Sequence, residues 1–80
     1  MHIGNHIKEI MTARGHTVTW LAKELHTARG NVYDIFQRQS IDSELLMRIS
    51  TLLHYNFFDE LQIETDNLIS NSIKNHNTTT

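Results

Sequence analysis

The stretch TVTWLAKELHTARGNVYDIFQ, residues 17–37, contains two short runs of apolar residues with helical spacing. The runs are Val18, Leu21, Ala22 and Leu25, then Val32, Ile35 and Phe36. Apolar residues three and four positions apart lie on one face of an α-helix. Only His26, Thr27 and Ala28 separate the runs, and a connection this short joins two helices at an angle. Ala22 is small enough to let the two backbones approach, so the stretch predicts a helix-turn-helix.

The segments on either side predict three more helices. Before the motif, Ile3, Ile7, Ile10 and Met11 form one stripe that ends near Gly15, and Thr17 is the expected N-cap of the next helix. After it come an Asp42-capped helix with Leu45, Leu46, Ile49, Leu52 and Leu53, and a short Asn56-capped helix with Phe57, Phe58 and Leu61. The adjacent Phe57 and Phe58 point in different directions on a helix, so only one is expected to be fully buried. The chain has no proline and no sustained period-two alternation, so it predicts a compact all-α domain of five helices in residues 1–61.

The remaining residues, 62–80, differ in character from the predicted domain. They are rich in Asn, Ser and Thr and end in three threonines. Their few aliphatic residues include Leu68, Ile69 and Ile73, which share one side of a helix if Asp66 caps it. The segment is therefore expected to be a polar tail, either disordered or a weak extra helix.

Length and composition favour a binding module over an enzyme. The chain has 80 residues, of which 39% are hydrophobic and 20% charged, as expected of a globular domain. A domain of this size buries only about 60% of the surface that its unfolded chain exposes. It has little room for a multi-substrate active site. The sequence has no Gly-rich phosphate loop, nucleophile elbow or zinc-protease motif, so we expect neither catalysis nor a cofactor.

Metal and membrane binding are not expected either. There are no cysteines, which excludes disulfides and cysteine-based zinc sites. His2 and His6 have a chelating i, i+4 spacing, but no third ligand lies nearby in the sequence. No apolar run approaches the ~20 residues that span a bilayer. The first residues lack the features of a signal peptide, so the expected location is cytoplasmic.

The charge is distributed unevenly between the two parts of the chain. The net charge is −2, but residues 1–41 carry +2 and residues 42–80 carry −4. A mildly basic front part joined to an acidic back part is an asymmetry that bears on the choice of partners. Chance in a short chain explains the asymmetry equally well.

These segments resemble the Xre/Cro, lambda-repressor-like helix-turn-helix family of DNA-binding proteins. Thr17–Leu25 and Arg29–Phe36 are similar to its helix-turn-helix, Ile3–Lys8 to its first helix, and Asp42–Ile49, Leu53 and Phe58–Leu61 to its last two. The resemblance covers roughly residues 3–61. It implies a transcriptional regulator of prokaryotic or phage type, whose third helix, about residues 28–37, enters the major groove of double-stranded DNA. It also implies a homodimer on two half-sites.

The chain departs from the family pattern at three positions. Val18 stands where the family often has a DNA-contacting Gln. His26 replaces the usual turn Gly, at a position that often requires positive φ. Ala28 replaces a capping Ser or Thr and is a poor N-cap, so Thr27 is the expected substitute.

The third helix supplies the candidate DNA-reading residues, because its apolar face points inward. The expected base-reading residues are Arg29, Asn31, Tyr33 and Asp34. Arg pairs with guanine, Asn with adenine, Asp accepts from cytosine N4, and a Tyr ring contacts a thymine methyl. The expected backbone contacts are Thr17, Thr19, Lys23, Gly30, Gln37, Arg38, Gln39 and Ser40. Among them, Gly30 has no side chain and allows close backbone approach.

Two further functions are compatible with the same residues. The first is an antitoxin-type autorepressor that binds DNA while its C-terminal tail binds a protein partner. The second is a protein-interaction module that keeps the fold without binding DNA, which the acidic net charge, Val18 and Asp34 favour. Salt-dependent binding to duplex DNA discriminates this module from the two DNA-binding functions.

Overall fold

The chain folds into five α-helices, and the described residues contain no β-strand. The structure is a computed structural model that describes residues 1–79, with side chains described for residues 1–72. The helices are α1 (Ile3–Ala13), α2 (Val18–Glu24), α3 (Arg29–Gln37), α4 (Ser43–Leu53) and α5 (Phe57–Thr79). The predicted all-α fold with five helices is confirmed. None of the described helices is long and apolar enough to cross a membrane.

The helices begin and end where short-range hydrogen bonds satisfy their backbone groups. The Thr17 side chain accepts from the Trp20 N–H at 3.1 Å, and the Asp42 carboxylate accepts from the Leu45 N–H at 2.8 Å. The Asn56 side chain accepts from the Phe58 N–H at the start of α5 at 3.0 Å. Gly15 follows α1 with φ of 77°, the left-handed conformation that ends many helices. These predicted caps are confirmed.

The apolar faces of all five helices form one core. α1 and α2 pack against α3, and α1 also contacts α4. The buried hydrophobic residues are Ile3, Ile7, Met11, Leu21, Ala22, Leu25, Val32, Ile35, Phe36, Leu46, Ile49, Leu53 and Phe57. As predicted, the two adjacent phenylalanines differ: Phe57 is fully buried, whereas Phe58 is half-buried.

The first turn of α1 is hydrogen-bonded to the segment that follows α3. The Gly4 N–H donates to the Arg38 carbonyl at 2.9 Å, and the Ile3 N–H donates to the Gln39 carbonyl at 3.1 Å. A Cβ atom at Gly4 would overlap the carbonyl oxygens of Ile35 and Phe36 and would lie 2.6 Å from the Phe36 carbonyl carbon. Only glycine therefore allows this approach. The close approach, with its two hydrogen bonds, fixes the position of the loop that carries Arg38 and Gln39.

The last helix is longer than the sequence predicts. α5 continues past Leu61 to Thr79, and Asp66 lies inside it instead of capping a separate helix. The reason is that all three glycines precede residue 31 and the chain has no proline, so nothing in this segment breaks a helix. Ile63, Leu68 and Ile69 are exposed on it. The side chain of Ile73 is outside the described set, and the division of the chain at residue 61 stays a prediction.

A polar cluster joins α1 to the start of α5. The Tyr55 hydroxyl donates to Glu60 Oε1, and His6 Nε2 lies against Glu60 Oε2. This contact is an ion pair when the imidazole is protonated. The ring of His6 meets the rings of Tyr55 and Phe57 edge-on. Mainly because of the hydrogen bond from Tyr55, and further because of His6, the pKa of Glu60 is lowered from its ordinary value.

This lowered pKa predicts a loss of stability in acid. A carboxylate with a lower pKa in the folded than in the unfolded chain stabilises the fold above its unfolded pKa, about 4.5. That contribution disappears as the pH falls from there through the folded-state pKa. The free energy of unfolding of the wild type, measured with urea, should therefore fall more between about pH 5 and about pH 3 than that of Glu60→Gln.

The matched control is Glu24→Gln, because Glu24 makes no hydrogen bond or ion pair within the part of the chain that the structure describes. It should keep the pH dependence of the wild type. If Glu60→Gln and Glu24→Gln change that dependence equally, the Tyr55–Glu60–His6 cluster does not stabilise the fold.

Candidate nucleic-acid interface

The turn between α2 and α3 has the geometry that a helix-turn-helix requires. His26 has φ of 56°, a left-handed conformation that side chains other than glycine adopt at some cost. The His26 N–H donates to the Lys23 carbonyl at 3.1 Å, and the Thr27 N–H donates to the Ala22 carbonyl at 2.9 Å. These bonds close the end of α2. Ala22 is 4% exposed beside this turn, where its small side chain lets α2 and α3 pack together.

The N-terminus of α3 has no side-chain cap. Ala28 is the N-cap residue, with φ of −77° and ψ of 154°, and no side chain bonds to the first N–H groups. The prediction that Thr27 replaces Ala28 as the cap is wrong. The Thr27 hydroxyl instead accepts a hydrogen bond from the side-chain amide of Asn31. The positive end of the α3 dipole, with its first N–H groups, is consequently free of a capping side chain.

The four predicted base-reading residues are all exposed on α3. Arg29, Asn31, Tyr33 and Asp34 lie outside the buried face that Val32, Ile35 and Phe36 form. Tyr33 is 55% exposed, and its ring meets the Phe36 ring edge-on, which holds it close to the helix. Asn31 is held by Thr27, so its amide points back towards the start of α3.

Gly30 is a residue that the fold does not need. It lies in the first turn of α3 without positive φ, and a Cβ atom there would meet nothing within 4 Å. An alanine would fit and would favour the helix by roughly 0.5–1 kcal/mol. Because Gly30 has no side chain, the backbone of this turn is accessible to a partner that approaches closely.

The predicted backbone contacts lie on two elements and on the loop after α3. Thr17 and Thr19 stand at the start of α2, and Lys23 near its end. Gly30 is exposed in the first turn of α3, and the other four, Gln37, Arg38, Gln39 and Ser40, are exposed at the end of α3 and just after it. The oxygen of Thr17 already accepts the bond that caps α2, so its hydroxyl hydrogen is the part that remains for a phosphate. The carbonyls of Arg38 and Gln39 are bonded to α1, and this anchors the loop.

Sequence reasoning missed Arg48, which lies across a groove from α3. This groove, termed the α3–α4 groove, has a volume of about 270 Å³. Its apolar lining is Leu25, Ile35 and Leu45, and its polar lining is Thr27, Asn31, Asp34, Arg38 and Arg48. The available signal was the i, i+3 spacing of Leu45 and Arg48, which places them on one side of α4.

Within residues 1–72, the cations near this surface have no acidic partner. Among the described residues, the only cationic groups that form ion pairs are the Met1 amino group and His6. The guanidinium groups of Arg29, Arg38 and Arg48 are therefore available to an external anion. The two histidines that the sequence singled out have other partners: His2 accepts from the Asn5 N–H, and His6 lies against Glu60. The described residues contain no cluster of three metal-binding side chains.

No protein-family model matches the chain. Comparisons with curated proteins and with solved structures also find no match. The resemblance to the Xre/Cro family therefore stays a prediction that rests on the residues themselves, and so does any DNA-binding role.

Proposed function

We propose that the chain is a sequence-specific double-stranded DNA-binding protein, a transcriptional regulator that reads the major groove with α3. The observation that supports this most is the first turn of α3. It combines an uncapped helix N-terminus, a glycine that the fold does not need, and an Arg29 guanidinium that makes no ion pair with the side chains of residues 1–72. A helix N-terminus attracts anions. Folding alone does not explain why the first N–H groups of α3 and the Arg29 guanidinium lack protein partners among the described residues.

The proposed division of labour follows the chemistry of each side chain. Arg29 donates to O6 and N7 of a guanine, and Asp34 accepts from a cytosine N4 amine. Asn31, turned towards the helix N-terminus by Thr27, offers its amide oxygen and second N–H to an adenine or a phosphate. The ring of Tyr33 contacts a thymine methyl. Gly30 lets the backbone approach the groove.

Contacts to phosphates orient α3 without reading sequence. Arg38 is the strongest of these candidates, because its loop is fixed to α1 by two backbone hydrogen bonds. Thr17, Thr19 and Lys23 are proposed contacts from α2. The protein is proposed to work in the cytoplasm as a homodimer, which gives the short reading surface a second half-site.

Arg29→Ala tests this function directly. It should relax specificity at one base pair per half-site, at a cost of about 1–3 kcal/mol of discrimination, while the thermal melt stays unchanged because Arg29 is exposed. The measurement is selection from a random duplex pool, followed by titration of the selected duplex. Arg29→Lys is the matched control. It keeps the charge but not the planar fork, so it should restore nonspecific affinity more than sequence preference.

Failure of the wild type to bind any duplex at low salt would contradict the proposal. In that case the exposed surface of Arg29, Asn31, Tyr33 and Asp34 belongs to the alternative function, a protein-interaction module. The net charge of −2 and the exposed carboxylate of Asp34 favour that candidate, because both disfavour contact with a polyanion.

The antitoxin-type autorepressor is favoured by one observation on α5. Ile63, Leu68 and Ile69 are 61%, 63% and 51% exposed on that helix, and a protein partner that binds along α5 would cover these apolar side chains. This function keeps the DNA-reading role of α3 and adds a protein partner on the C-terminal segment.

A further inference from the structure

The α3–α4 groove lies beside the surface that we propose reads the bases. Its polar lining includes Asn31 and Asp34 from α3, which are also proposed base contacts, so the two surfaces are continuous. Its floor is apolar. If α3 lies in the major groove of DNA, the DNA backbone passes the mouth of the α3–α4 groove.

The charges that line the groove favour an anion. Arg38 reaches it from the end of α3 and Arg48 from the middle of α4, while Asp34 is the single carboxylate in the lining. Within the described chain neither guanidinium lies within ion-pair distance of a carboxylate. The groove is therefore cationic overall. One cation lies at the C-cap of α3 and the other on α4, so an anion held between them would bridge the end of α3 and α4.

We propose that the α3–α4 groove holds one phosphate of the DNA backbone between Arg38 and Arg48, and that Arg48 is a positioning residue for α3. This rests on the proposed function. Guanidinium groups bind phosphate oxygens through two parallel N–H bonds, and the apolar floor of Leu25 and Leu45 fits the attached sugar. Arg48 has a second effect: its charge offsets the carboxylate of Asp34, which lets an acidic base-reading residue lie next to a phosphate.

Substitution of the two arginines tests this arrangement. Arg48→Gln should weaken binding to all duplexes alike, by about tenfold, the loss of one charged hydrogen-bonded contact. Arg38→Gln should have a similar effect. If both hold one phosphate, the double variant should lose less affinity than the product of the two single losses. Its salt slope should fall by about 1, the value for one phosphate, and not by about 2.

Arg14→Gln is the matched control, because it removes the same charge elsewhere. Arg14 lies beside the α4–α5 connection, where its guanidinium donates to the His54 carbonyl, so its loss should leave the salt slope unchanged. If the double variant loses affinity by the product of the two single losses and its salt slope falls by about 2, the two arginines do not share one phosphate. Wild-type binding by Arg48→Gln would overturn the role of Arg48.

A duplex series with one methylphosphonate at a time locates the phosphate. At a single position in each half-site, removing the charge should abolish the difference between Arg48→Gln and the wild type. If no position does so, the proposal fails although the protein binds DNA. If the wild type binds no duplex at all, the proposed function itself fails. Inorganic phosphate could instead raise the melting temperature of the wild type but not of Arg48→Gln, while both proteins bind DNA equally. That result would identify a site for a free anion and overturn the DNA contact.

Discussion

Replacing Gly4 by alanine should destabilise the protein by about 3 kcal/mol or more. On helix propensity alone the same change would stabilise α1, since alanine favours a helix over glycine by roughly 0.5–1 kcal/mol. The structure reverses this sign. The added Cβ overlaps two carbonyl oxygens of α3, which belong to the backbone and have no other rotamer. α1 must move away, and this breaks the bonds from Ile3 and Gly4 to the loop after α3.

The other two glycines provide the controls for urea unfolding of Gly4→Ala. Gly15→Ala meets open space but keeps φ of 77°, so it should cost about 1–2 kcal/mol. Gly30→Ala meets open space in an ordinary helix and should not destabilise the fold. A Gly4→Ala protein as stable as Gly15→Ala would mean that α1 and α3 do not approach as closely as the structure shows.

Features that depend on neighbours in sequence were predictable. The caps Thr17, Asp42 and Asn56 bond to N–H groups two or three residues away, so a short pattern suffices to find them. The core was predictable for a related reason, because helical periodicity alone identifies the buried face of each helix. The exposure of Arg29 and Asp34 follows as the complement of the buried face of α3.

Features that depend on distant segments were not predictable. The sequence gives no sign of the role of Gly4, since that role depends on the backbone of α3, more than thirty residues away. Arg48 was missed because the α3–α4 groove exists only once α4 packs beside α3. The failed cap at Thr27 is a competition between two local bonds: its hydroxyl bonds to the Asn31 side chain instead of a backbone N–H. Sequence periodicity does not rank such alternatives.

Phe57→Ala should destabilise the protein by about 3–5 kcal/mol. Phe57 is fully buried at the first position of α5. It matters more than other core residues for this helix, because the main helix-to-helix contacts are those of α1 with α3 and α4 and of α2 with α3. α5 is attached chiefly through side chains near its start. A domain of this size is stable by only about 5–10 kcal/mol, so the melting temperature should fall by on the order of 20 °C.

Phe58→Ala is the matched control at the next position, since Phe58 is half-buried and its truncation should cost clearly less. Hydrogen exchange then separates two ways in which Phe57→Ala acts. Because Phe57 packs in the same core as α1, α3 and α4, we expect protection to fall throughout the domain. Loss of protection confined to α5 would contradict this and would make the helix-turn-helix an independent unit.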